Sequence, residues 1–193
     1  MHSLVDLGCG DGLWMAAAQG EGVHVRGCDL SLSMLALAAE RGLDVTACAA
    51  SEMDLKGASA VTALGEVLCY HGPNGTPELS SVMERAAEAL PLRGLLVADV
   101  LGPDTPERSA VRELQQNRRL EVKSTRKGSE MVREITTSEA GVELSKEIHV
   151  QTLIDPETIE ELGARFGFHV TLSRSIAGLE LLPGRIGLWA VRV

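Results

Sequence analysis

Near the start of the chain the run Val5-Asp6-Leu7-Gly8-Cys9-Gly10-Asp11-Gly12 could bring backbone unusually close to a ligand. A short apolar stretch stops at Leu7, and Gly8, Gly10 and Gly12 lack the Cβ atoms that would obstruct a tight turn into a following helix. Asp29 ends the next apolar stretch, nineteen residues beyond Gly10, a spacing that fits one β-α-β unit. A carboxylate at that point can accept hydrogen bonds from both ribose hydroxyls of an adenosine, and bonds to a charged partner contribute about 1.5–3 kcal/mol each. Glycine turns are common, and an Asp before Leu30-Ser31 can simply begin a helix. The pair at the ends of consecutive predicted strands is the stronger signal. Leu13 stands where a GxGxxG fingerprint requires its last glycine, which disfavours a nicotinamide dinucleotide.

The elements that must position these residues follow from periodicity. Strands are expected at 3–7, 23–28, 44–48, 58–64 and 94–101, short apolar runs bounded by Gly, Asp or Ser. Helices are expected at 12–19, at 32–41 behind a Ser31 cap, and at 78–90. That alternation predicts a parallel sheet with right-handed crossovers and its ligand edge at the strand C-termini. After residue 103 the texture changes. Segments 120–125, 130–137 and 142–151 alternate apolar with polar across turns at Lys127-Gly128 and Ala140-Gly141, the pattern of an antiparallel meander that can serve as a lid or a dimer edge. Asp155-Pro156-Glu157 begins a last helix through Phe166, with strands at 168–173 and 186–193.

Composition narrows the function. The 193 residues suit one domain, 1–193, read as a cofactor-binding half (1–103) and a half holding the meander, last helix and closing strands (104–193). A net charge of −9 and only 3% aromatic residues argue against nucleic acid and anionic membranes as partners. Arg118, Arg119, Lys123, Arg126 and Lys127 read as a solvated hairpin face rather than an anion-steering patch. With neither a secretion leader nor a long apolar run, the expectation is a cytoplasmic protein, with oligomerisation open. Cys9, Cys28, Cys48 and Cys69 form no CxxC pair, so reduced thiols and no metal site are expected. Trp14, Trp189, Met34 and Met53 read as packing residues.

Asp6, Gly8 and Gly10 resemble the acid-x-Gly-x-Gly motif of class I S-adenosylmethionine-dependent methyltransferases. The stretches VTALGEVLCY (61–70), ALPLRGLLVADV (89–100) and GFHVTLSR (167–174) are similar to later parts of that family, most specifically over 3–103. The resemblance implies an α/β, doubly wound, mostly parallel seven-stranded Rossmann-like sheet, with the antiparallel meander inserted after strand five. It implies S-adenosyl-L-methionine as cofactor. Residues Asp6 to Gly10, Cys9 among them, would hold its methionine portion, Asp29 its ribose and Leu30 one adenine face, with Leu64 and Gly65 alongside. Where members often place an Asp against the adenine amino group this chain has Ala49, so Ala50 and Ser51 would serve through backbone groups. Members also carry a helical segment before the first strand, whereas this chain enters that strand almost at once, which makes turnover conditional on a lid.

The expected reaction is methyl transfer to a small-molecule acceptor by in-line displacement. Because a methyl sulfonium is already activated, alignment does most of the work and a general base is needed only for a protonated nucleophile. Candidates for that base are Glu66, Tyr70 and His71 after the fourth strand and His149 in the meander. A non-catalytic S-adenosylmethionine-binding or regulatory domain is the alternative, and a nicotinamide-dependent oxidoreductase a more distant one.

Overall fold

The computed structural model describes residues 3–73, 75–114 and 117–193; the expected domain start at Met1 lies outside them. In chain order the elements are β1 (Ser3–Leu7), α1 (Leu13–Gly20), β2 (His24–Asp29), α2 (Leu32–Glu40), β3 (Asp44–Ala47), β4 (Ala60–Ala63), α3 (Glu78–Ala89) and β5 (Leu95–Leu101). There follow β6 (Arg108–Glu113), β7 (Arg118–Lys127), β8 (Glu130–Glu139), β9 (Val142–Thr152), α4 (Pro156–Phe166), β10 (Phe168–Ser173), β11 (Ser175–Ile176), β12 (Leu179–Glu180) and β13 (Arg185–Arg192).

Seven strands form one sheet in the order β10-β13-β5-β4-β1-β2-β3. Strands β1 to β5 pair in parallel, and β13 runs antiparallel between β5 and β10. The Rossmann-like layout expected from the sequence is the one observed. From β1 the chain winds outward through β2 and β3 on one side and continues through β4 and β5 on the other. That reversal makes the C-terminal ends of β1 and β4 the topological switch point, the place where open α/β sheets bind ligands.

Side chains that alternate along the strands build two apolar layers. On one face Val5, Val61, Leu96, Ala98 and Leu188 pack with Leu79, Val82 and Met83 of α3 and Ile159 of α4. On the other, Leu4 and Val25 pack with Met15 of α1 and Leu35 and Ala38 of α2. The helix ends follow local chemistry. Ser31 Oγ accepts from Met34 N–H (3.4 Å) at the start of α2, and α4 opens on Pro156 and stops at Gly167 with φ +73°.

The meander is a separate four-stranded antiparallel sheet, β6-β7-β8-β9. The Ala140-Gly141 turn has φ positive at both residues, as a two-residue hairpin requires. Met131 packs into the main core and Gln151 bonds to Glu66, which fastens the sheet to the body. The sequence reading missed β6, since all six of its residues are exposed and carry no burial rhythm. It also missed the β11-β12 hairpin, whose strands have two residues each. The five basic residues at 118–127 split between the two sheet faces: Arg118 and Arg126 share one, Arg119, Lys123 and Lys127 the other. No helix among the described residues is long and apolar enough to cross a membrane.

Candidate functional site

The glycine turn leaves β1 at this switch point. Gly8, Gly10 and Gly12 all have positive φ, but they are glycine for different reasons. A Cβ on Gly8 would lie 2.3 Å from Val67 Cγ2, and one on Gly12 2.3 Å from Leu43 Cδ1, so both are required by packing. A Cβ on Gly10 would meet nothing within 4 Å. Gly10 is therefore the point at which bare backbone faces open space.

Asp29, half-buried at the end of β2, binds across to that point. Its Oδ2 accepts from Gly10 N–H (2.8 Å) and its Oδ1 from Ser31 N–H (2.8 Å). Each oxygen retains acceptor capacity, because a carboxylate offers about four lone-pair positions. Leu30 is 75% exposed beside it. On the β4 side Gly65, with φ +87° and open space beside it, donates its N–H to Asp99 Oδ1 at 2.7 Å, and Leu64 is half-buried. Ala50 and Ser51 lie in a 3-10 turn after β3, where Ser51 Oγ donates to Glu78 Oε1 (3.2 Å).

Asp6 sits beneath the turn, buried, accepting from Thr62 Oγ1 at 2.6 Å. Burial pushes its carboxyl up to about 6 against the Thr62 bond, with the Asp29 charge adding to the rise. It ties β1 to β4 beneath the turn rather than presenting a free carboxylate. A carboxyl raised on folding contributes stability fully present below its unfolded value of 3.8 and lost as pH rises through about 6. Asp6→Asn keeps an acceptor for Thr62 and removes that loss. Chemical denaturation should show the variant more stable at pH 8 by on the order of 2 kcal/mol, converging with wild type below pH 4. Cys9 is likewise buried, its thiol pushed up to about 12 by burial and by the Asp6 and Asp29 charges, so it stays protonated and serves the turn through its backbone.

The four candidate base residues separate. Glu66, with φ +72°, is buried in an ion-pair cluster. Arg133 Nη1 lies 2.8 Å from its Oε2, Gln151 Nε2 donates to the same oxygen at 3.0 Å, and Arg185 pairs with Oε1. Arg185 also reaches Asp99 Oδ2 at 2.8 Å. Burial raises the Glu66 carboxyl, but the Arg133 and Gln151 hydrogen bonds and the two guanidinium charges outweigh it and hold the group below its usual range. A carboxylate stabilised in this way is a weak proton acceptor, an environment that favours a clamp joining Arg133, Gln151 and Arg185 over a base. His71 is exposed, bridged by backbone to Pro77. Tyr70 and His149, seventy-nine residues apart, come together: Tyr70 Oη is 3.1 Å from His149 Nδ1, and the rings meet edge to face at 6.0 Å.

Arg133, Gln151, Arg185, Asp99 and Thr62 were not picked out from sequence. Asp99 carried the one usable signal, an acid inside an apolar run ending at the same sheet edge as Asp29. Trp14 departs from its expected packing role. It is 47% exposed and lines a cavity of about 730 Å³ with Leu4, Ala60 and Leu92, at the strand N-termini and so across the sheet from Gly10.

Comparison with known proteins adds to this geometry. Residues 4–94 match a family described as a methyltransferase domain. No curated protein matches the sequence. Among solved structures, DesVI of Streptomyces venezuelae is 23% identical with TM-score 0.78, covering 100% of this chain and 84% of that one. The sugar N-methyltransferase KedS8 of a Streptoalloteichus species is 22% identical with TM-score 0.76, over 99% and 80%. CalS10 of Micromonospora echinaspora, an amino pentose methyltransferase solved with SAM bound, is 23% identical with TM-score 0.74, over 100% and 84%. At these identities the likeness is one of fold.

Proposed function

We propose, from the match of residues 4–94 to a methyltransferase-domain family, that the chain binds S-adenosylmethionine at the Gly10–Asp29 edge and methylates a small-molecule acceptor. One observation carries the reading: Gly10 backbone, open on its ligand side, is hydrogen-bonded to an acid on the neighbouring strand at the topological switch point. The residues fit the cofactor. The free lone pairs of Asp29 would take the ribose hydroxyls, and exposed Leu30 would lie against the adenine. Backbone at Gly8 to Gly10 and at Gly65 would line the methionine portion, with Ala50 and Ser51 at the base.

The bound cofactor supplies a methyl group on a sulfonium, which needs no further activation. The chain's own task is to hold an acceptor lone pair in line with that methyl, a contribution of about 7–11 kcal/mol when positioning is good. Two of the fold neighbours methylate sugars according to their descriptions, which supports a small polar acceptor. The net charge of −9 speaks against nucleic acid.

Calorimetry with S-adenosylmethionine and S-adenosylhomocysteine tests the reading. Wild type should bind both, and Asp29→Ala should weaken each by about 10- to 100-fold, as loss of charge-assisted hydrogen bonds predicts. Unchanged affinity in Asp29→Ala removes the ribose assignment, and no binding by wild type removes the proposed function.

A further inference from the structure

We propose that Glu147 is the positioning residue of a proton relay running from Tyr70 through His149, an inference that rests on the methyl-transfer reading above. Glu147 and His149 are two residues apart on β9, so their side chains share a face of the strand, the face that also carries buried Gln151. His149 Nε2 lies 3.3 Å from Glu147 Oε2, while Nδ1 lies 3.1 Å from Tyr70 Oη. A carboxylate only accepts, so the Glu147 contact requires the imidazole hydrogen to sit on Nε2. Neutral His149 then has its lone pair on Nδ1, and the Tyr70 hydroxyl donates to it.

This fixed polarity has a chemical use. An acceptor that arrives as an ammonium or hydroxyl must lose a proton before its lone pair can attack a sulfonium methyl. The proton passes to the Tyr70 oxygen while the phenolic hydrogen moves to His149 Nδ1. The product is an imidazolium that donates from Nδ1 to Tyr70 and from Nε2 to Glu147; once the methylated product has left, the Nδ1 proton returns to the Tyr70 oxygen as the phenolic hydrogen passes to water, which restores the Nε2–H tautomer, and no electrons change hands. Burial raises the Tyr70 phenol above its ordinary value, so the phenol works as a base only by passing its own hydrogen on. The charged and titratable groups around the pair are Arg133, opposite His149 on β8, together with Glu66, Cys69 and Asp29 on the Tyr70 side.

Nitrogen-15 NMR of histidine-labelled protein without ligand reads the tautomer directly, with His149→Gln assigning the signal. Wild-type His149 should carry its hydrogen on Nε2. Glu147→Gln, an exposed change that offers Nε2 an amide donor, should raise the Nδ1–H population at least threefold. With S-adenosylmethionine and a panel of amino sugars, Glu147→Gln should lower kcat for S-adenosylhomocysteine release about tenfold with the cofactor KM unchanged. Added to Tyr70→Phe it should cost nothing more. A wild-type hydrogen on Nδ1, a tautomer unmoved in Glu147→Gln, or undiminished turnover in that variant overturns the relay. Failure of wild type to bind S-adenosylmethionine overturns the preceding proposal instead and leaves the tautomer result standing.

Discussion

Gly10→Val should abolish measurable S-adenosylmethionine binding, at least a 100-fold loss by calorimetry, while the protein still folds. The added Cβ would meet no protein atom within 4 Å, so the main cost to the fold is the left-handed backbone, about 1–2 kcal/mol. The same space is where cofactor backbone contact is proposed, and a branched side chain fills it. Gly8→Ala should behave in the opposite way. Its Cβ would come within 2.3 Å of Val67, whose short branched side chain cannot swing clear. Overpacking of about 1–3 kcal/mol would add to the backbone strain and lower the denaturation midpoint visibly. The contrast between two glycines two residues apart separates ligand approach from packing. Equal binding losses at equal stability in both variants would contradict it.

That distinction was invisible in the sequence, where the three glycines are equivalent letters. What could be read was whatever depends on local pattern. The β-α alternation and the Leu13 departure from GxGxxG are set by residues within a turn or two of each other. The Gly10 to Asp29 spacing spans nineteen residues but is that of one β-α-β unit, and the structure joins those two by a 2.8 Å bond. Strand β6 escaped because it has no buried face, and periodicity is a record of burial. The pairing of Tyr70 with His149 escaped because it depends on the meander folding back over the β4 edge, which no local signal encodes. The two residues were separately visible as titratable groups, and only tertiary structure makes them one unit.

Glu66 is the candidate base whose surroundings favour a different role, and its neighbours make the second large prediction. Arg185→Met should destabilise the protein by about 3–5 kcal/mol, because it leaves Glu66 and Asp99 buried without the cation that bridges them. Glu66→Gln should cost less, since Arg185 keeps Asp99 and the amide can still accept from Arg133. The pH dependence has a definite sign. A carboxyl held below its ordinary value on folding contributes stability that is present above its unfolded value of 4.5 and lost as pH falls through the folded one. Wild-type stability should therefore fall in acid below about pH 4 more steeply than that of Glu66→Gln. The cluster also reaches the ligand edge. Asp99 holds Gly65 N–H with one oxygen and Arg185 with the other, while Arg133 and Gln151 tie β8 and β9, and with them His149, to Glu66. Loosening it should weaken cofactor binding and turnover together with stability. A general base replaced by its amide would instead lose about 10²- to 10⁴-fold in rate with the fold untouched. Urea denaturation and cofactor titration of the same Glu66→Gln sample therefore decide between clamp and base, because only a clamp moves both readings in the same direction.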